Sequence, residues 1–128
     1  MKFYTASSFK NIESVRNINK ELQRIGYIHT YDWTQNDRAT SREELERIGR
    51  EEKRAVMESD FIIVLLPAGK GSHIELGVAL GLGKKIFLYS PESADLAAKS
   101  TFYHLPEVEQ CFGSLDDLLV KVAAFQHI

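Results

Sequence analysis

Phe61-Ile62-Ile63-Val64-Leu65-Leu66 runs into Pro67-Ala68-Gly69-Lys70-Gly71-Ser72 and then into Ile74-Glu75-Leu76-Gly77-Val78-Ala79-Leu80-Gly81-Leu82. Six apolar residues in a row, half of them β-branched, leave no face for solvent. Such a run suits a strand buried on both sides, at the centre of a parallel sheet. The proline and glycines of residues 67–72 make a turn. A helix rich in small residues follows over residues 74–82, and Gly83 closes it. Strand, turn and helix in this order are half of a βαβ unit.

The same alternation extends in both directions. Upstream, Lys2–Ala6 reads as a first strand, and Ser7 and Ser8 offer hydroxyls to cap a helix. Phe9, Ile12, Val15, Ile18, Leu22 and Ile25 recur every three or four residues, the apolar stripe of that helix, and Gly26 stands at its C′ position. Residues 27–31 read as a second strand and residues 32–40 as a polar loop. Ser41-Arg42-Glu43-Glu44 matches a capping box, and the helix it starts runs to about Ser59, with Leu45, Ile48, Ala55 and Val56 inward. Downstream, residues 85–89 read as a fourth strand and residues 92–100 as a short helix or loop. Val108–Phe112 reads as a fifth strand. Ser114 starts a last helix with Leu115, Leu118, Leu119, Val122 and Phe125 inside. Right-handed crossovers then give an α/β three-layer sandwich around a five-stranded parallel sheet. The expected strand order is 2-1-3-4-5, flavodoxin-like or Rossmann-like.

Composition bounds the function. The chain has 128 residues, 16 basic and 18 acidic, for a formal net charge of −2. That length suits a single domain over residues 1–128. No basic surplus points to a nucleic-acid polymer as partner. Cys111 is the one cysteine, which excludes an intrachain disulfide framework and CxxC-type metal spacing, and suggests a reducing, cytoplasmic setting. The longest apolar run, residues 61–68, is about half of a membrane span, so no membrane partner is expected. The opening residues are too polar for a secretory h-region.

Open parallel sheets bind ligands beyond the C-terminal strand ends, where the strand order reverses. That rule selects residues 4–9, 32–36 and 67–75, and Ser90. Gly69-Lys70-Gly71-Ser72 is not a Walker loop, because Gly71 separates the lysine from the serine. Its backbone N–H groups can still meet an anion or hydroxyl at a helix N-terminus. Glu75 falls in the first turn of the expected helix. There it is either a carboxylate stabilised by the helix dipole or a nucleophile kept ionised by that dipole and aimed into a cleft.

The motifs Lys2-Phe3-Tyr4-Thr5-Ala6-Ser7, Ser59-Asp60-Phe61-Ile62-Ile63-Val64 and Gly71-Ser72-His73-Ile74-Glu75-Leu76-Gly77-Val78-Ala79 resemble, in order and spacing, those of the nucleoside 2-deoxyribosyltransferase family. The family includes base-exchanging transferases and N-glycosidases of nucleoside 5′-monophosphates. The resemblance places Glu75 on the family nucleophile, which attacks C1′ of the sugar in a double displacement. It places Tyr4 on a tyrosine that orients that nucleophile. It places Glu52, eight residues before Asp60, on the acid that protonates the departing base. The family residue there is usually Asp, so Glu52 is a departure, and its charged surroundings equally suit a solvated i,i+4 partner. Asp60 reads as structural.

The remaining candidates are binding residues for a nucleoside or nucleotide substrate. Ser7, Ser8, Gly71 and Ser72 suit sugar hydroxyls or a 5′-phosphate, with helix capping as the plain alternative for the serines. Phe9 joins them at the first strand's end. Asp32 and Trp33 suit a base, by hydrogen bond and stacking, or a core. His73 suits substrate, Glu75 or the backbone. No cofactor and no metal is expected, and no arginine stands out in the predicted loops. Sequence leaves a non-catalytic nucleotide-binding module as the alternative reading. A homodimer or homotetramer is expected, with the helices over residues 40–59 and 74–82 as contact faces, because so small a sheet leaves its edge site shallow.

Overall fold

The computed structural model describes residues 1–92 and 100–125. The strands are β1 (Lys2–Ala6), β2 (Ile28–His29), β3 (Phe61–Leu65), β4 (Lys85–Ser90) and β5 (Val108–Phe112). They form one parallel sheet in the order β2-β1-β3-β4-β5. The helices are α1 (Ile12–Arg24), α2 (Arg42–Glu58), α3 (Lys70–Gly81) and α4 (Leu115–Ala124). The α/β architecture and strand order are those expected from the sequence.

All five residues of β3 are buried, as a central strand between two parallel neighbours requires. Phe61 packs edge-on against Tyr27, Phe87 and Phe125, centroids 5.6–5.8 Å away. Right-handed connections place α2 and α3 on the face opposite α1. Accordingly α2 packs on α3, and α1 packs on α4. On β1 the side chains alternate between these layers. Thr5 is buried toward α1, where its hydroxyl donates to Asn19 Oδ1 at 2.7 Å. Tyr4 faces α2 and α3. Gly26 and Gly83 follow the C-caps of α1 and α3 with φ of +103° and +69°, the left-handed conformation that terminates a helix.

Several local expectations are corrected. The second strand spans Ile28–His29 alone, because the chain leaves the sheet edge early. Trp33–Gln35 form a 3-10 helix within the expected loop, with Asp32 as its cap. The first helix opens with a 3-10 turn, Phe9–Asn11, and Ser8 makes no side-chain cap. Ser7 and Ser8 instead donate to Leu65 O and Pro67 O, at 2.8 and 3.3 Å, tying the end of β1 to the end of β3. The most consequential shift is in α3, which begins at Lys70 and not at Ile74. Gly71, Ser72 and His73 are therefore helical.

Leu45, expected inward, is exposed, since α2 buries only Ala55 and Val56, near its other end. Ser41 accepts from Glu44 N as a cap, but the Glu44 carboxylate reaches Thr40 N and not Ser41. Ser114 and Asp117 form the full reciprocal box on α4. Asp60 is structural, accepting from Lys2 N at 2.8 Å. Most of residues 92–100 lie outside the described residues. Thr101–His104 form a further 3-10 helix that the sequence pattern did not suggest.

Candidate active site

Beyond the C-terminal ends of β1 and β3 lies a cleft of about 460 Å³. Its floor is Tyr4 from β1, Glu52 from α2 and Glu75 from α3. The Tyr4 hydroxyl donates to Glu75 Oε2 at 2.6 Å and lies 3.4 Å from Glu52 Oε2. A phenol has one hydrogen, and the shorter contact takes it. The second contact becomes a hydrogen bond when Glu52 is protonated and donates to the tyrosine oxygen. The three groups can thus form a chain: a protonated Glu52, Tyr4, and an ionised Glu75.

Burial governs the electrostatics. It pushes the Glu75 carboxyl up to about 8; the Tyr4 hydrogen bond opposes this, and the nearby Glu52 charge adds to it. Glu52 is raised too, by burial, against the opposing hydrogen bond from Tyr4. The Tyr4 phenol is pushed far above its ordinary range by burial, then by the Glu75 charge and hydrogen bond. This corrects the expectation that the helix dipole keeps Glu75 ionised. With α3 starting at Lys70, Glu75 sits in the second turn and no acid occupies the first. The dipole effect fades within one turn, and desolvation prevails.

The walls come from loops. Ser7, Ser8, Gly69, Gly71 and Ser72 line one side, where the glycines leave the backbone of the first turn of α3 open to the cleft. Phe9, Trp33, Leu45 and Ile48 give the other side an apolar surface. Trp33 is buried and donates from its indole to Thr5 O at 2.7 Å, and its ring meets Phe9 edge-on at 5.4 Å. Ser7 and Ser8 line the cleft but donate their protons to carbonyls. Ser72 makes no hydrogen bond from its hydroxyl among the described residues.

Two expected site residues lie elsewhere. Asp32 accepts from Thr34 and Gln35 and does not line the cleft. His73 borders a separate cavity on the far side of α3, with both ring nitrogens bonded away from Glu75. The cleft also takes in residues outside the expected set, Asp37, Arg38 and Ala39 of the loop and Leu45 and Ile48 of α2. Arg38 lies in the loop after β2, lines the cleft, and makes no hydrogen bond or ion pair among the described residues. The expectation of no arginine in the loops is thereby corrected. The signal was a basic residue two positions beyond the stretch selected by the strand-end rule. Among the described residues no cluster of three or more His, Cys, Asp or Glu side chains is arranged to hold a metal ion. No helix among them is long and apolar enough to cross a membrane.

Solved structures share the fold, and two of them show how closely. The Clostridium botulinum CMP N-glycosidase BcmB is 19% identical, with a TM-score of 0.65 over 96% of this chain and 99% of that one. A conserved protein from Enterococcus faecalis is 16% identical, with a TM-score of 0.68 over 96% of this chain and 97% of that one. No curated protein matches the sequence. The family model described as nucleoside 2-deoxyribosyltransferase matches residues 3–120, which takes in β1, α2, β3 and α3 with Tyr4, Glu52 and Glu75. A match across nearly the whole length, on a chain whose topology and carboxylate-tyrosine floor have just been described, establishes that this protein belongs to the nucleoside 2-deoxyribosyltransferase family.

Proposed function

We propose that the protein cleaves the N-glycosidic bond of a nucleoside or nucleotide through a covalent glycosyl ester on Glu75. The observation that carries this reading is the hydrogen-bonded floor Glu52–Tyr4–Glu75. In the first step a Glu75 oxygen bonds to C1′, and the C1′–N bond breaks with its electron pair on the base. The proton on Glu52 passes to that base. In the second step water or another base attacks C1′, the ester bond breaks, and Glu75 recovers its carboxylate. The incoming nucleophile's proton returns to Glu52.

Geometry supports a double displacement over a direct attack by water. Both carboxylate oxygens are tied to one hydroxyl, so their separation cannot exceed the sum of the two contacts, 2.6 and 3.4 Å. That falls short of the roughly 6.5–9.5 Å that inverting glycosidases leave for a water between their acid and base. The apolar wall of Phe9 and Trp33 suits the face of a base. Ser72, Arg38 and the open backbone at Gly69 and Gly71 suit sugar hydroxyls or a 5′-phosphate. The uncommitted Arg38 and the likeness to a CMP N-glycosidase favour including nucleoside monophosphates among the substrates.

The test is incubation with a panel of deoxynucleosides and nucleoside monophosphates, following free base by chromatography with and without an acceptor base. Release of base by the wild type and its loss in Glu75→Ala is the expected result. Base exchange without net hydrolysis marks a transferase, and net release marks a hydrolase. Activity that survives Glu75→Ala removes the nucleophile. A panel that yields no base but raises the melting temperature points to a binding module instead.

A further inference from the structure

The N-terminus of α3 carries the open wall of the cleft, yet it has no side-chain cap; besides the intrahelical bond from His73 N to Gly69 O at 3.2 Å, its nearest ties are those of Ser8 and Asn11 to Pro67 O. Its cap, Gly69, makes no side-chain cap hydrogen bond, and Gly71 is the second helical residue. Glycines at these places let a ligand approach the backbone but leave it conformationally loose. Support comes from the far side. His73 Nδ1 lies 2.9 Å from Gly69 O, and His73 Nε2 lies 2.8 Å from the hydroxyl of Tyr103. A carbonyl only accepts, so Nδ1 carries the proton in the neutral ring, and Tyr103 donates to Nε2. Tyr103 is itself buried, its ring lies beside the imidazole at a centroid distance of 6.1 Å, and its carbonyl accepts from Gln110 of β5 at 3.0 Å. An unbroken series of contacts thus runs from β5 through Gln110, Tyr103 and His73 to Gly69.

We infer that His73 and Tyr103 are positioning residues: they brace the first turn of α3 from behind and so hold the backbone of Gly69 to Ser72 in place for the substrate. Tyr103 acts through His73, and neither touches the cleft. Glu75 is oriented independently by Tyr4. The brace therefore governs substrate binding more than the chemical step. The inference rests on the proposed reaction at Glu75 for its kinetic consequence, but not for its structural one.

The experiment has two arms on the full chain. In the first, hydrogen exchange by mass spectrometry compares wild type, Tyr103→Phe, His73→Ala and His73→Asn. Exchange in residues 67–76 is expected to speed up in the first two variants, while β3 and β4 stay protected. His73→Asn keeps a donor for Gly69 O and is expected to restore much of the protection, which a general loss of folding would not permit. In the second, steady-state kinetics are expected to show KM raised about fivefold in Tyr103→Phe, the worth of one neutral hydrogen bond, with kcat within about twofold of wild type. The double variant should match His73→Ala alone, because Tyr103 acts through His73. Unchanged exchange over residues 67–76, or KM effects that multiply in the double variant, overturns the brace. If His73→Ala does not fold, Tyr103→Phe and His73→Asn still decide. If the wild type releases no base, the exchange arm still judges the brace while the proposed reaction falls.

Discussion

At the residue scale the protein turns on how burial divides the work of two chemically equivalent carboxyl groups. Glu75 and Glu52 share one phenol, and both are held above the ordinary carboxylate range. The proposed reaction needs Glu75 ionised and Glu52 protonated, so the pair must carry one proton; because Glu75 is raised the more strongly, that arrangement is the minor of the two one-proton states in the free protein. The pH profile of kcat/KM should be bell-shaped and displaced toward the alkaline side of a free carboxyl. Replacing Glu52 by Gln removes the proposed acid, which should lower kcat by about 10²–10⁴-fold. It also leaves one carboxyl on the phenol, so the alkaline limb, which reports loss of the pair's last proton, should disappear. An alkaline limb that persists, read from initial rates between pH 4 and 9, would separate the two groups. Stability carries the same sign. A carboxyl whose folded pKa is raised favours the fold below the unfolded value, and that contribution is lost as pH rises through about 8. Glu75→Gln should therefore raise the melting temperature at pH 9 while leaving it nearly unchanged at pH 4, with about 4 °C for each kcal/mol gained. Calorimetry at the two values checks this.

At the element scale the active-site floor depends on alternation along β1. Tyr4 turns to α2 and α3, and Thr5 turns to α1 and bonds the buried Asn19. Thr5→Val should destabilise the fold by about 1–3 kcal/mol by stranding the Asn19 amide, whereas Thr5→Val with Asn19→Leu should recover most of that loss. Urea unfolding of the two variants separates these outcomes, and equal losses would deny the pairing. Glu52 shows how an element can conceal a site. Ile48, Glu52 and Val56 follow each other at intervals of four, so Glu52 stands in the inward stripe of α2. A lone carboxylate in an apolar stripe is a functional signal. The charged run Arg50-Glu51-Glu52-Lys53-Arg54 offers the competing reading of a solvated face, so in the sequence Glu52 stands out through the family resemblance and not through its helix pattern. The start of α3 was misplaced for a related reason. Proline and two glycines read as a turn, but Gly69 caps the helix and Gly71 is already inside it.

At the scale of the whole molecule, α2 and α3 cover one face of the sheet and keep apolar side chains at the surface. Ile74, next to Glu75, is 68% exposed, and Leu45, Met57 and Leu82 are exposed as well. A helix apolar around its circumference favours burial on both sides. We propose that a second copy of the chain supplies the outer side, as a homodimer or homotetramer that deepens the cleft. Light scattering at micromolar concentration should report an assembly, and Ile74→Asp should weaken it. A monomer throughout that range would overturn this.

The order of the strands, the buried central strand and the assignment of Tyr4 and Glu75 to neighbouring strand ends were determined by the sequence alone. Apolar periodicity and glycine placement are local properties, and right-handed crossovers leave few ways to assemble them. Only the tertiary structure decided the rest. Trp33 and Arg38 entered the cleft, Asp32 and His73 left it, and the charge on Glu75 came to be set by burial and not by the helix dipole. Whether a polar side chain faces solvent, a cap or a cleft depends on which distant segment packs beside it. The free energy of a buried charge likewise depends on water removed by neighbours remote in the chain.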